Sequence, residues 1–173
     1  MRILIVSDTH AKMENLKTVL HKVGHIDALI HCGDVEGDED YIRALAGCPA
    51  YLVSGNNDFF SDLPRELEIE LAGRHVLISH GHYMGVSMGT ERILEEADAR
   101  RMQLVIFGHT HKPVIVEKDG VIAVNPGSLS YPRQEGRRPS FMLLEIDKQD
   151  RFHFTINYLG RDGEVSRNPE TDN

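Results

Sequence analysis

The sequence has little of several features that mark common classes of protein. It contains no tryptophan and only two cysteines, Cys32 and Cys48, without the spacing of a metal-binding pair. No apolar run approaches the roughly 18 residues that a membrane-spanning helix needs. The chain begins directly with a strand pattern and not with the charged, apolar and small-residue order of a secretory signal. These absences predict a cytoplasmic protein with reduced thiols and no membrane partner.

Basic residues are in the minority. Lys and Arg number 19 against 27 Asp and Glu, which gives a formal net charge of -8. A protein that binds nucleic-acid backbones generally needs a basic face, so this class is disfavoured. Bound cations could still attract a phosphate locally. The 173 residues, 40% of them hydrophobic, are enough for one folded domain. We place this domain at residues 1–160 and expect the polar residues 161–173 to form a frayed tail.

The hydrophobic pattern predicts an α/β fold. Near-continuous apolar runs at residues 2–7, 26–31 and 50–54 are typical of strands buried on both faces. Apolar residues at helical spacing over residues 13–23 and 38–46 predict helices between these strands. The resulting βαβαβ order favours a parallel sheet with covering helices.

The second half of the chain adds further strands and one helix. Alternating residues 67–71 and the run 74–79 predict a hairpin, and residues 89–101 predict a helix. The run 103–107 is short and rich in branched and aromatic residues, which favours a strand ending at Gly108. The remaining predicted strands are 114–117, 121–124, 141–146 and 152–158.

Polar residues able to bind metal follow five of the predicted strands. Taken singly, most of them have a simpler explanation, because Asp and Asn commonly form turns and helix caps. Taken together they are informative, since ligands gather at the carboxyl ends of strands in α/β sheets. Nitrogen and oxygen donors suit Mn, Fe, Zn, Co or Ni, and seven donors suit two ions sharing a carboxylate better than one. The seven are Asp8, His10, Asp34, Asn56, His80, His109 and His111.

The order of these residues resembles the motif set of the calcineurin-like metallophosphoesterases. The motifs are Asp8-x-His10, Gly33-Asp34, Gly55-Asn56-Asn57-Asp58, His80-Gly81-His82 and Gly108-His109-x-His111. The resemblance runs from about residue 3 to residue 128. The chain length and the turn at residues 125–128 are most similar to the small YfcE-type phosphodiesterases. The resemblance implies a four-layer α/β/β/α sandwich of two mixed sheets.

The resemblance also implies an activity and a cofactor. It implies a phosphodiesterase or phosphatase in which a metal-bound hydroxide attacks the phosphorus of a small phosphate ester. Two divalent ions are expected, with manganese favoured and nickel, zinc, iron or cobalt left open. By resemblance, Asp8, His10 and His111 hold the first ion, Asn56, His80 and His109 hold the second, and Asp34 bridges them.

One position departs from the family pattern. Many members have His where this chain has Asn57, and that His is thought to protonate the leaving group or to contact the phosphate. An amide cannot transfer a proton near neutral pH. Asp58 would normally orient that His, so it is either catalytic or a turn carboxylate here. His82 is either a catalytic contact or a structural hydrogen-bonding residue. Asn57, Asp58 and His82 are therefore candidate catalytic residues.

Other functions stay open at this point. A eukaryotic retromer subunit resembles the same branch and is regarded chiefly as an assembly surface. A non-catalytic scaffold of this fold is therefore an alternative, although a site that is no longer used for catalysis should have lost some of its metal ligands. A phosphoesterase directed at nucleotides or RNA is another alternative. A homodimer or a higher homo-oligomer is also compatible with the sequence.

Overall fold

The computed structural model describes residues 1–167, which form two sheets and three α-helices. The helices are α1 (Glu14–Val23), α2 (Glu39–Ala46) and α3 (Glu91–Ala99), and a 3-10 turn spans His82–Met84. The strands are β1 (Arg2–Val6), β2 (Ala28–His31), β3 (Ala50–Leu52), β4 (Glu66–Leu71), β5 (Arg74–Ser79), β6 (Leu104–Ile106), β7 (Pro113–Lys118), β8 (Val121–Pro126), β9 (Ser140–Ile146), β10 (Phe152–Leu159) and β11 (Val165–Ser166).

Both sheets combine parallel and antiparallel strands. The first has the order β11-β10-β9-β1-β2-β3, in which β1, β2 and β3 are parallel and β9 is antiparallel to β1. The second has the order β4-β5-β6-β8-β7, with β5, β6 and β8 parallel. The two outer hairpins of the second sheet, β4–β5 and β7–β8, pair as the sequence predicts.

The buried side chains form three layers of packing between four layers of structure. Alternate residues of β1 separate them: Ile3 and Ile5 pack between the two sheets, whereas Leu4 and Val6 pack under α1 and α2. A third cluster places Ile93 of α3 against the outer face of the second sheet. Each fully buried side chain of this kind stabilises the fold by about 1.5–3 kcal/mol. The predicted α/β/β/α sandwich is confirmed.

The double burial of β1 and β2 explains why their sequences are continuously apolar. Four of the five residues of β1 and all four of β2 are buried, because each strand has a sheet on one face and helices on the other. Within residues 1–167, no helix combines the length and the hydropathy needed to cross a bilayer.

The chain after Gly160 differs from the sequence prediction of a frayed tail. Residues 165–166 form β11, which pairs antiparallel with the end of β10 at Tyr158 and Leu159. The backbone N–H of Gly160 donates to the carbonyl of Glu164 at 2.7 Å and closes the intervening turn. β10 therefore supplies backbone hydrogen-bond partners for β11, and the polar sequence of residues 161–167 did not indicate this pairing. The rest of the predicted tail, residues 168–173, lies outside the described part of the chain.

Candidate metal centre

The loops that follow β1 and β2 run side by side beyond the ends of the strands. The N–H of Asp8 donates to the carbonyl of Gly33 at 3.1 Å, and the N–H of His10 donates to the carbonyl of Asp34 at 2.9 Å. Asp8, His10 and Asp34 all have positive φ, between 48° and 57°. Such backbone angles are uncommon outside glycine and cost energy, so the surrounding contacts must hold them. They turn the three side chains toward one point.

The first group of donors forms around Asp8. One ligand atom from each of Asp8, His10, Asp34 and His111 lies within 4.8 Å of every other, which is a grouping that could hold a metal ion. His111 Nε2 lies 3.1 Å from Oδ1 of Asp8, and the Nε2 atoms of His10 and His111 are 3.5 Å apart. The Asp8 side chain is fully buried.

The second group of donors lies on the other side of Asp34. Oδ1 of Asn56 is 3.1 Å from Nε2 of His80 and 2.9 Å from Nδ1 of His109. His80 Nε2 also lies 3.6 Å from Oδ2 of Asp34, and the same oxygen lies 3.7 Å from Nε2 of His10. A single carboxylate oxygen therefore sits between the two groups. All seven donors predicted from the sequence are brought together.

The outer ring nitrogens of three histidines are already engaged. His80 Nδ1 donates to the carbonyl of Cys32 at 2.6 Å, and His111 Nδ1 donates to the carbonyl of Tyr131 at 2.7 Å. His10 Nδ1 contacts Oε1 of Glu36 at 2.7 Å. Carbonyls and carboxylates can only accept, so a neutral ring carries its proton on Nδ1 and turns a bare Nε2 inward. This tautomer is the one that binds metal through Nε2.

The contact between Asp8 and His111 shows that the donor set fits a cation. Two lone pairs face each other at 3.1 Å when Nε2 of His111 is bare. Within the described residues, Oδ1 of Asp8 is buried and has no hydrogen-bond donor. A buried acceptor in this state is costly, and a divalent ion or a proton between the two atoms removes the cost. Nitrogen and oxygen donors without thiolate suit the metals predicted from the sequence.

The pKa shifts have the same origin. Burial would raise the pKa of the Asp8 carboxyl, but His111 and the charge of His80 outweigh burial and lower it. Burial would lower the pKa of His111, but the Asp8 carboxylate outweighs burial and raises it. Burial and the neighbouring His80 lower the pKa of His109. The first group thus attracts a positive charge, whereas His109 in the second group favours neutral imidazole, the form that binds metal.

Two motif glycines allow the loops to approach this closely. A Cβ at position 55 would overlap Oδ1 of Asp34, and one at position 33 would lie 2.7 Å from Nδ1 of His80. Gly33 also has a φ of 97°, which side-chain-bearing residues rarely adopt. Both glycines therefore protect the positions of the side chains beside them.

The three candidate catalytic residues have different surroundings. The N–H of Asn57 donates to Oδ1 of Asp34 at 2.9 Å, and its Nδ2 donates to Oδ2 at 2.7 Å. The carboxylate of Asp58 accepts hydrogen bonds from the backbone N–H groups of residues 35, 36 and 55. It thereby connects two loops of the site, as a structural turn carboxylate would.

His82 is partly buried at the edge of the second group. Its ring centroid lies 5.2 Å from that of His80 and 4.0 Å from that of Tyr83. Within the described residues its buried Nδ1 has no hydrogen-bond partner. Burial, followed by the charges of His80 and His109, lowers the pKa of His82 to about 4. The ring is therefore neutral near pH 7.

Sequence reasoning missed several residues that support the site. Glu36 and the carbonyls of Cys32 and Tyr131 orient three of the histidines, and no sequence pattern singled them out. The turn after β8 also contributes, because Ser128 Oγ donates to the carbonyl of Asp8 at 2.9 Å. The sequence identified this turn by composition, but its contact with a loop 120 residues away depends on the fold.

Comparisons with known proteins agree with this arrangement. The family model of the calcineurin-like phosphoesterase superfamily domain matches residues 1–149. The probable metallophosphoesterase YsnB of Bacillus subtilis is 32% identical over 148 residues, with 85% of each chain covered. A phosphodiesterase of Methanocaldococcus jannaschii is 30% identical over 146 residues, covering 73% of this chain and 83% of that one.

A solved structure is similar over almost the whole chain. Wild-type Vps29 of Entamoeba histolytica, complexed with zinc, superposes with a TM-score of 0.79 at 25% identity, with 96% of each chain covered. The family model spans most of the chain, and the two curated relatives are at least 30% identical. This chain therefore belongs to the calcineurin-like phosphoesterase superfamily.

Proposed function

We propose that this protein is a phosphodiesterase with a binuclear metal centre. The observation that carries the proposal is the position of Asp34, whose Oδ2 lies within 3.7 Å of His10 Nε2 and 3.6 Å of His80 Nε2. A carboxylate between two separate groups of donors is what two ions sharing one ligand require. Membership of the phosphoesterase superfamily supports the reaction class.

The donors divide between the two ions by proximity. We assign three donors to each ion and Asp34 to both. Manganese remains the favoured metal, with nickel, zinc, iron or cobalt as alternatives. The first ion takes Asp8, His10 and His111, and the second takes Asn56, His80 and His109.

The chain's own side chains then prepare the site for a phosphate ester. When bound, the divalent ions would activate a water at neutral pH and neutralise the phosphate oxygens. Asn57 holds the Asp34 carboxylate through two hydrogen bonds and so fixes it between the donor groups. Glu36 and the carbonyls of Cys32 and Tyr131 engage the outer nitrogens of three histidines, so the neutral form of each ring presents an unprotonated Nε2 to the site. Proton transfer to the leaving group has no donor at Asn57, because an amide is not acidic enough.

Activity after metal reconstitution tests the proposal. The purified chain is stripped with chelator and then loaded with Mn, Ni, Zn or Fe. Hydrolysis of a panel of phosphomonoesters and phosphodiesters is measured, and bound metal is counted by elemental analysis. We expect two ions per chain and hydrolysis of small diesters that chelator abolishes. Fully loaded protein that hydrolyses no member of the panel would overturn the proposal.

The likeness to Vps29 motivates one alternative, a binding scaffold of the same fold. The superposition covers 96% of both chains, and that structure is a complex with zinc. A scaffold would bind metal with the same side chains and turn over none of the substrates. Retention of all seven donors in one place favours the enzyme. A substrate among nucleotides or RNA is a narrower form of the enzyme proposal, and the same panel includes it.

A further inference from the structure

Two large aromatic side chains are exposed beside the second group of donors. Phe59 is 79% exposed and Tyr83 is 63% exposed. Leaving such surface in water forgoes the free energy that burial would contribute, so paired exposed aromatics beside a site commonly mark a binding surface. Here they lie on opposite loops, one after β3 and one in the 3-10 turn after β5. Both line a cleft of about 380 Å³ that also includes Asn56.

Charge adds a second property to this cleft. The guanidinium of Arg65 lies 5.1 Å from the centroid of the Tyr83 ring, within the range of a cation–π contact. The ring of His82 contacts the same tyrosine, with centroids 4.0 Å apart. These two neighbours hold the Tyr83 ring in place at the cleft wall. The cleft therefore combines the held ring of Tyr83 and the exposed ring of Phe59 with the positive charge of Arg65. Its lining also includes the proposed metal ligand Asn56 and the carboxylate of Asp58, whose oxygens already accept backbone hydrogen bonds.

A second cleft on the other side of Phe59 has a more acidic lining. It has a volume of about 490 Å³, and its lining includes Asn57, the exposed rings of Phe59 and Phe60, and the carboxylates of Glu36 and Glu39. An anionic ester would be repelled by these carboxylates and attracted by Arg65. Both clefts have exposed aromatic rings, so the charges select the Tyr83 side for a planar group attached to a phosphate.

We propose that the cleft between Phe59 and Tyr83 binds a planar aromatic group of the phosphate ester. The substrate class is then an ester that carries an aryl or nucleobase ring, and a purely aliphatic ester would leave these faces uncovered. This inference rests on the proposed phosphoesterase function, because the metal centre anchors the phosphate at the cleft mouth. Arg65 contributes to the attraction of the anionic ester, and the two aromatic faces contribute the selectivity.

Binding of two phosphonates tests the cleft without relying on turnover. Phenylphosphonate and methylphosphonate share the anion and differ in the ring, and neither has an ester bond to hydrolyse. Their dissociation constants are measured by calorimetry on manganese-loaded protein. We expect phenylphosphonate to bind about tenfold more tightly, which is in the range of single stacking contacts. Phe59→Ala and Tyr83→Ala should each bring the ratio toward one and leave the methylphosphonate constant unchanged.

Tyr41 supplies a matched control. It is also an exposed tyrosine, and Lys17 Nζ lies 5.4 Å from its ring centroid, but it is on α2 and does not line the cleft. Tyr41→Ala should keep the wild-type ratio. The cleft proposal would be overturned if the wild type bound both phosphonates equally well, or if Phe59→Ala and Tyr83→Ala kept the wild-type ratio of dissociation constants. In either case, binding of methylphosphonate would leave the metal-centre proposal standing. Failure of both phosphonates to bind loaded protein would overturn both proposals.

Discussion

Asn57 donates two hydrogen bonds to Asp34, from its backbone N–H at 2.9 Å and from its side-chain Nδ2 at 2.7 Å. Both carboxylate oxygens are thereby engaged, and one of them also faces His10 and His80. The residue that departs from the family pattern therefore positions the carboxylate at the centre of the site. This relationship makes Asp34 the most informative position to alter.

The first prediction is that Asp34→Asn removes the second ion and most of the activity. The change deletes the negative charge that lies between the two donor groups. Mutation of residues that only hydrogen-bond to a metal ligand typically lowers metal affinity or activity by roughly 10–100-fold. Loss of a ligand shared by both ions should lower them by at least the upper end of that range. Elemental analysis should give at most one manganese per chain, with diester hydrolysis at least roughly 100-fold slower. Asp40→Asn, at an exposed site in α2, is the control and should match the wild type.

The second prediction separates a structural from a catalytic role for Asp58. Its carboxylate accepts three backbone hydrogen bonds from two site loops. Asp58→Ala leaves these donors without their acceptor, which should lower the free energy of unfolding by about 3 kcal/mol. Urea denaturation of metal-free protein measures the loss, and Asp62→Ala, an exposed neighbour, should cost little. Unchanged stability combined with lost activity would show that Asp58 acts catalytically.

The third prediction concerns thermal stability and metal. Ions that bind only the folded state stabilise it by about 2.7 kcal/mol at a hundred times the dissociation constant. For a chain of this size we expect a rise in Tm of roughly 5–10 °C when manganese is added to stripped protein. His111→Gln, which removes one donor, should show a smaller rise, and His25→Gln should show the full one because it is exposed. No rise in protein shown to bind manganese would contradict this prediction.

The fourth prediction is a loss of stability in acid that depends on His31. This ring is fully buried, contacts Thr9 Oγ1 at 3.0 Å, and burial lowers its pKa to about 4. Because the folded pKa lies below the usual 6.5, the unfolded chain takes up the proton first. The stabilisation is therefore complete above pH 6.5 and is lost as the pH falls toward 4, by up to about 3 kcal/mol.

The dependence is measured by urea denaturation of metal-free protein between pH 4 and pH 8. His31→Gln keeps a polar, uncharged side chain, so the difference between wild type and variant should shrink with falling pH across this window. His25→Gln, at an exposed histidine, should follow the wild type throughout. Parallel curves for the wild type and His31→Gln would mean that another group causes the acid effect.

The fifth prediction follows from the missing imidazole at position 57. A weakly basic phenolate leaves with little help, whereas a simple alkoxide needs a proton, and general acid catalysis is worth about 10²–10⁴-fold. We expect log(kcat/KM) to fall steeply with rising leaving-group pKa in the natural protein. Asn57→His should make this slope shallower by raising activity on alkyl esters most. Asn57→Gln is the control, since it disturbs the Asp34 contact without adding an acid.

A shallow slope in the natural protein would point to another proton donor. His82 would then be the first residue to test, because its ring lies beside the second donor group. Since the pKa of His82 is lowered to about 4, a contribution from its protonated form should increase as the pH falls. Asp58 is poorly placed to orient a new ring, since both of its oxygens already accept backbone hydrogen bonds. The gain in Asn57→His is therefore expected at the lower end of the range for general acids.

The sequence alone predicted the helices and all the described strands except β11, and it singled out the seven candidate donors that the fold brings together. Continuous apolar runs such as residues 2–7 arise because β1 is covered on both faces, and this burial is visible in the composition of the strand itself. The seven donors could be found because strand ends are local features and parallel strands end at one edge. The replacement of the usual family His by Asn57 could also be identified from the sequence, because it lies within a local motif.

Only the tertiary structure decided which atoms meet. Glu36 against His10, the Tyr131 carbonyl against His111, and Ser128 against the Asp8 carbonyl join residues 20 to 120 positions apart. The exposure of Phe59 and Tyr83 on either side of one cleft, and the pairing of β11, are of the same kind. Periodicity and motifs record how a residue relates to its own strand or turn. Contacts between loops depend on how separate strands pack, and no local pattern carries that information.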